Sequence, residues 1–295
     1  MTQVLPLPAS VAELTEQLRT TGYIADRGLA TATHLAVQLG RPLLLEGEVG
    51  VGKTELAKTL AELFGRRLIR LQCFEGIDSG QALYEWDYAR QMLAVRATTA
   101  HDAVAADAVR GLFTQEFLIE RPLLEAVREG DQCVLLIDEI DRADDEFEAF
   151  LLELLSDFQI TVPELGTIGG TSRPIVILTS NRTRELHDAL KRRCMYHWIG
   201  FPSVNREIEI IMARIPSAGQ RMAERVVSAV NRLRDMDLAK PPGVAETIDW
   251  VTALNVIDST DLTAESALDT LGSVLKDRDD IELASSSIDH VVDSN

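Results

Sequence analysis

The run Gly47-Glu48-Val49-Gly50-Val51-Gly52-Lys53-Thr54 has the spacing G-x-x-x-x-G-K-[ST] of a loop that wraps phosphate groups. Its glycines let backbone N–H groups turn toward one point. A helix start adds its partial positive charge there, and Lys53 reaches the outer phosphates of a nucleoside triphosphate. Thr54 then holds Mg²⁺ through its hydroxyl. Phosphoryl transfer to water also needs a second metal-holding group, a residue that orients or deprotonates the water, and a positive charge for the transition state. Asp138 fits the metal-holding carboxylate, and Glu139 beside it the group that polarises the water. Asn181 is a polar side chain suited to hold the γ-phosphate or the water, although Ser180-Asn181-Arg182 is equally an ordinary strand-to-helix cap. Lys191, Arg192 and Arg193 end a short helix starting near Arg184; by default, such cations complement a helix C-terminus.

The elements needed to carry these groups are legible around them. Leu43-Leu44-Leu45 is a short apolar run that reads as a buried strand leading into the loop. After it, Leu56, Ala57, Leu60, Leu63 and Phe64 recur at helical spacing until Gly65. Arg67 to Cys73 predicts a second strand. Cys133-Val134-Leu135-Leu136-Ile137 is a continuous apolar run, as in a strand buried on both faces of a parallel sheet. Carboxylates at the C-terminal end of such a strand stand where open α/β sheets bind ligands. Pro174 to Thr179 predicts a fourth strand ending at Ser180-Asn181, and Tyr196 to Gly200 a fifth. Upstream, Ser10 with Glu13 predicts a capping box opening a helix to about Arg19, and a second helix spans about 25–39. Phe147, Phe150, Leu151, Leu154, Leu155 and Phe158 lie on one helical stripe. Gln159 to Gly166 predicts one arm and the tip of a hairpin.

Two regions interrupt this alternation. Residues 76–111 form an insertion containing Tyr84, Trp86 and Tyr88, whose alternating spacing suits packing more than substrate contact. Beyond Pro202 only helices are predicted, at about 204–215, 218–236, 245–256 and 263–276. A domain boundary is therefore expected at 202/203, giving a core over 1–202 and a helical domain over 203–295.

The chain of 295 residues is 46% hydrophobic, enough for a full core, and its formal net charge is −18. Nucleic-acid binding through phosphates calls for clustered Lys and Arg, so this charge disfavours DNA or RNA as a partner. The stretch from Asp258 to Asn295 is especially acidic, and Lys276 and Arg278 are its basic residues; it reads as a solvated face. No apolar run approaches a membrane span and the start lacks a signal-peptide pattern, so a cytoplasmic protein is expected. Cys73, Cys133 and Cys194 include no C-x-x-C pair and read as buried thiols.

The order of phosphate loop, Asp138-Glu139 strand, Asn181 strand, arginines after a short helix and a final helical lid resembles the AAA+ ATPases over nearly the whole chain. The 76–111 insertion and the hairpin near 158–173 resemble the helix-2-insert group, specifically the MoxR family. Gly40 to Gly47, Ala82 to Tyr88 and Leu190 to Trp198 further resemble the MoxR branch that serves maturation of molybdenum carbon monoxide dehydrogenase. The resemblance implies an α/β P-loop NTPase core with a parallel sheet and a C-terminal helical lid. It implies ATP and Mg²⁺ as ligands, with Gly47 to Thr54 as the Walker A loop and Asp138 and Glu139 as Walker B metal holder and catalytic base. Asn181 becomes the sensor that positions the water. Arg193, with Arg192 second, falls on the finger that reaches into a neighbouring subunit, which implies a hexameric ring. The implied activity is ATP hydrolysis coupled to remodelling of a client metalloenzyme, with a von Willebrand factor A domain protein as partner. An ATP-gated binding module with little turnover is the alternative, and Glu139 argues against it; a DNA-acting motor on the same ATPase core is a third reading, disfavoured by the acidic charge. The family's second sensor arginine has no counterpart in Pro242-Gly243-Val244-Ala245-Glu246-Thr247, and Arg234 is a possible substitute.

Overall fold

The computed structural model describes residues 7–98, 112–163, 165–170 and 172–292. Two compact units divide the chain. One comprises residues 1–7, 31–45 and 60–197; the other comprises 8–30, 46–59 and 198–295.

The first unit is built on a sheet with strand order β2-β5-β8-β1-β9. These strands are β1 (Leu43–Gly47), β2 (Arg67–Gln72), β5 (Cys133–Asp138), β8 (Ile175–Ser180) and β9 (Met195–Ile199). The β2–β5 and β5–β8 pairs are parallel, with Gln72 opposite Asp138 and Ile137 opposite Leu178. Every residue of β5 and β8 is buried, which explains why these strands read as continuous apolar runs rather than alternating ones. Leu44, Leu135, Ile137 and Leu178 from the sheet join one core with α6 (Pro122–Glu129) and α7 (Asp145–Asp157). Leu123, Leu124 and Val127 come from α6, and Phe147, Leu151 and Leu155 from α7. Burying each such side chain stabilises the fold by about 1.5–3 kcal/mol.

The insertion consists of α4 (Ser79–Leu83), β3 (Tyr84–Trp86) and α5 (Tyr88–Thr98); residues 99–111 lie outside the described residues. Its strand β3 pairs antiparallel with β4 (Leu118–Glu120), beyond the boundary expected at 111. Trp86 is buried edge-on against Phe113 and Tyr84, whereas Tyr88 opens α5 and is 63% exposed. The predicted hairpin forms from β6 (Gln159–Val162) and β7 (Gly166–Gly169), paired antiparallel.

The second unit contains α1 (Val11–Thr20), most of α3 (Lys53–Leu63), and the helices α9 (Val204–Arg214), α10 (Gln220–Arg234), α11 (Val244–Val256) and α12 (Ala264–Val274), while the predicted second helix forms as α2 (Arg27–Leu39), with residues in both units. Two helices absent from the sequence reading follow, α13 (Arg278–Ser286) and α14 (Ile288–Val292). They are short and offer only Ala284, Ile288 and Val291 as fully inward apolar residues, too few for a visible stripe. All these C-terminal helices enclose one core around Trp250, whose Nε1 donates to Thr270 Oγ1 at 2.7 Å. The capping box at α1 is only half formed. Ser10 Oγ accepts from Glu13 N, but the Glu13 carboxylate accepts from Ala9 N instead of returning to Ser10. Among the described residues no helix is long and apolar enough to cross a membrane.

Candidate functional site

The phosphate loop falls in the second unit, while Asp138, Glu139, Asn181, Arg192 and Arg193 fall in the first.

The loop runs from β1 into α3, the strand-to-helix setting that the motif requires. At Gly47 a Cβ would stand 2.0 Å from the carbonyl oxygen of Ile199, so no side chain fits there. Gly50 has φ +75°, a conformation that L side chains rarely adopt. Lys53 is buried, and its ammonium donates to the carbonyls of Gly47 at 2.8 Å and Glu48 at 2.6 Å. The lysine is thus folded over the mouth of its own loop. Tyr23, unremarked in the sequence, donates from its hydroxyl to Gly52 O at 3.3 Å. Glu55, in the first turn of α3, pairs with Arg214 of α9 and Lys58. Partial burial works against its charge, but hydrogen bonds from Arg214 and Lys58 prevail and hold its carboxyl below the ordinary value.

The acidic half is built at the ends of β5 and β8. Asp138 is nearly inaccessible: Oδ1 accepts from Thr179 Oγ1 at 2.5 Å, and Oδ2 accepts from Arg70 Nε at 3.0 Å and Nη2 at 2.6 Å. Both oxygens therefore have strong donors, one of them charged. Glu139 adopts the left-handed conformation, φ 55° and ψ 50°, uncommon for a side-chain-bearing residue. Its N–H donates to Thr179 Oγ1 at 2.9 Å, so one threonine hydroxyl fixes the turn between the two carboxylates. The Glu139 carboxylate pairs with Arg142 at 3.0 Å and is one-third exposed.

Asn181 follows β8 directly and is half-buried. Two residues on, Thr183 donates from both N and Oγ1 to Asp141 Oδ2, at 2.8 and 2.7 Å, which ties this segment to the turn after Glu139. The short basic helix α8 spans Asp188–Arg193, starting later than expected. Arg184 is instead bound to the Ala143 carbonyl and paired with Asp145 and Glu148. Arg41 closes the end of α8 by donating to the carbonyls of Arg192, Arg193 and Cys194. Arg192 is exposed. Arg193, also exposed, donates from Nη1 to Leu152 O of α7 at 2.7 Å.

Arg70, Thr179 and Tyr23 escaped the sequence reading because each acts through a partner more than 25 residues away. Only Arg70 carried a signal, a charge between the apolar residues Ile69 and Leu71. Arg234, the possible substitute sensor, is occupied elsewhere. Its guanidinium binds Glu207 through Nη1 at 2.7 Å and Nη2 at 2.8 Å, donates to Pro242 O at 2.8 Å, and stacks 4.4 Å over Phe201. Among the described residues, no group of three or more His, Cys, Asp or Glu side chains could hold a metal ion alone. Thr54 and Asp138 each offer a hard oxygen donor of the kind that suits Mg²⁺.

A family model described as the AAA domain, dynein-related subfamily, matches residues 42–194. Gas vesicle ATPase GvpN1 of Halobacterium salinarum is 26% identical over 272 residues, covering 87% of this chain and 75% of GvpN1. Chaperone protein ClpB of Mycoplasma pneumoniae is 30% identical over 200 residues, 61% of this chain but 25% of ClpB. Among solved structures, the P216G mutant of Thermotoga maritima RuvB aligns with a TM-score of 0.49 and 19% identity over 94% of this chain and 76% of that one.

Proposed function

Because the chain belongs to the dynein-related subfamily of AAA domains, we propose that it hydrolyses ATP with Mg²⁺ and couples hydrolysis to remodelling of another protein. The observation that carries this reading is the phosphate loop, which runs from β1 into the start of α3, has no room for a side chain at Gly47 and is capped by the buried Lys53. Lys53 exchanges its bonds to the Gly47 and Glu48 carbonyls for phosphate oxygens, and the backbone N–H groups at the start of α3 bind the remaining negative charge. Thr54 and Asp138 would hold Mg²⁺, which when bound neutralises charge on the phosphate oxygens. Glu139 leaves Arg142 and takes the proton of the attacking water, and Asn181 holds that water in line.

The finer parts of the proposal rest on sequence resemblance to MoxR-type ATPases. Residues 1–202 act as the nucleotide-binding core and 203–295 as a lid. Arg193, or Arg192 in its place, supplies the transition-state charge to a neighbouring subunit in a hexameric ring, giving up its bond to Leu152 O. The client is a metalloenzyme of the molybdenum hydroxylase type, assisted by a von Willebrand factor A domain protein, and the site of action is the cytoplasm. Names of relatives that say ATPase and chaperone support the coarser reading.

Glu139→Gln protein, which should hold ATP unhydrolysed, tests the client proposal. Isolated from its native cell in ATP, it should retain a metalloenzyme and a von Willebrand factor A domain protein that Lys53→Ala protein does not. Equal recovery with both variants contradicts the proposed coupling.

A further inference from the structure

The first turn of α11 lies on the phosphate loop, within the same compact unit. Ala245 N donates to Gly50 O at 3.1 Å. A Cβ on Gly50 would come 2.6 Å from Glu246 Oε2 and 3.2 Å from Gly243 Cα, and one on Gly243 would come 2.6 Å from Val49 O. Glycine thus meets glycine, and a carboxylate lies against the middle of the loop. That carboxylate is also held in place by its own helix, because Glu246 Oε2 accepts from the N-cap Gly243 N at 2.9 Å, which is one half of a capping box. Arg234 cannot offset this charge, being bound to Glu207.

We propose that Glu246 is a charge-discriminating residue of the nucleotide site: pinned against Gly50, it weakens binding in proportion to the negative charge of the nucleotide. The inference rests on the nucleotide-binding reading above. Two like charges less than a Debye length apart repel, and the repulsion grows with each added phosphate charge. Binding therefore pushes on the first turn of α11, which sets the helical domain's response to nucleotide through Glu246 and the Ala245–Gly50 hydrogen bond rather than through an arginine.

The test is calorimetric affinity for ADP and for a non-hydrolysable ATP analogue, in the unaltered protein and in Glu246→Gln and Glu246→Lys. Gln preserves the cap, since its side-chain oxygen still accepts from Gly243 N. Glu246→Gln should tighten the ATP analogue about three- to tenfold at low salt, and ADP less. Glu246→Lys should tighten it further. The gain should shrink at about 0.5 M salt, where screening acts within roughly 4 Å. Equal or weaker affinity in both Glu246 variants, or a gain indifferent to salt, overturns the proposal while the unaltered protein still binds. Absence of binding in the unaltered protein overturns the nucleotide reading itself, and this inference with it.

Discussion

The pair Arg234–Glu207 makes a quantitative prediction about what Arg234 does. Its side chains are 7% and 0% exposed, and the Glu207 carboxylate receives both terminal guanidinium nitrogens of Arg234 together with Thr247 Oγ1 at 2.7 Å. Arg234→Met removes both charged donors and leaves a buried anion with the threonine hydroxyl. Breaking a buried ion pair from one side is destabilising by about 3–5 kcal/mol. With an m value of about 2 kcal/mol/M in urea, the unfolding midpoint of the compact unit that holds this pair should fall by about 1.5–2.5 M. The double variant Arg234→Met, Glu207→Leu removes the stranded charge as well and should lie within about 1 kcal/mol of the unaltered protein, since apolar replacements of buried pairs are often neutral or better. Urea unfolding followed by circular dichroism reads all three proteins, and nucleotide affinity of the double variant should be unchanged. A loss below about 1 kcal/mol in the single variant, or no recovery in the double, would refute the reasoning that this arginine is a buried structural partner.

Gly47→Ala should abolish nucleotide binding and lower stability, because its Cβ would stand 2.0 Å from Ile199 O; normal affinity would show that the backbone yields there. Arg193→Ala should bind ATP normally but lose about 10³- to 10⁵-fold in turnover, and mixing it with Glu139→Gln protein should restore part of the activity. No restoration at any ratio counts against sites shared between subunits. Burial, followed by the negative charges of Asp138, Asp141 and Glu139, pushes the Cys73 thiol up to about 12. Burial also pushes Cys133 up to about 11 and Cys194 to about 12, from an ordinary value of 9.0. Folded-state values above the unfolded one mean that stability from the neutral thiols is intact below about pH 9 and declines as pH rises from 9 toward 12. A stability profile across that window, compared with a protein carrying Cys→Ala at all three positions, should show the difference. Identical slopes would remove the thiols as its cause.

Much of this architecture was legible because the relevant signals are local. The apolar run Cys133–Ile137 reads as a strand buried on both faces, and β5 is buried throughout. The glycine–proline breaks at Pro216 and Pro241-Pro242-Gly243 separate α9, α10 and α11 as expected. Contacts between distant residues were not legible. Thr179 and Arg70 converge on Asp138 from neighbouring strands, a consequence of sheet register that no spacing rule encodes. Arg184 looked like the start of a basic helix but is spent on the Ala143 carbonyl and Glu148, so α8 begins at Asp188. The packing of Gly243 against Gly50 likewise left no trace beyond an absent arginine and an available glutamate.

The central claim, that a triphosphate held by the 47–54 loop is cleaved by water activated at Glu139, is tested most directly by single-turnover hydrolysis of radiolabelled ATP in the Glu139→Gln protein. The account predicts ATP affinity close to that of the unaltered protein and cleavage too slow to follow over the unaltered protein's turnover time. Cleavage at an undiminished rate would contradict it.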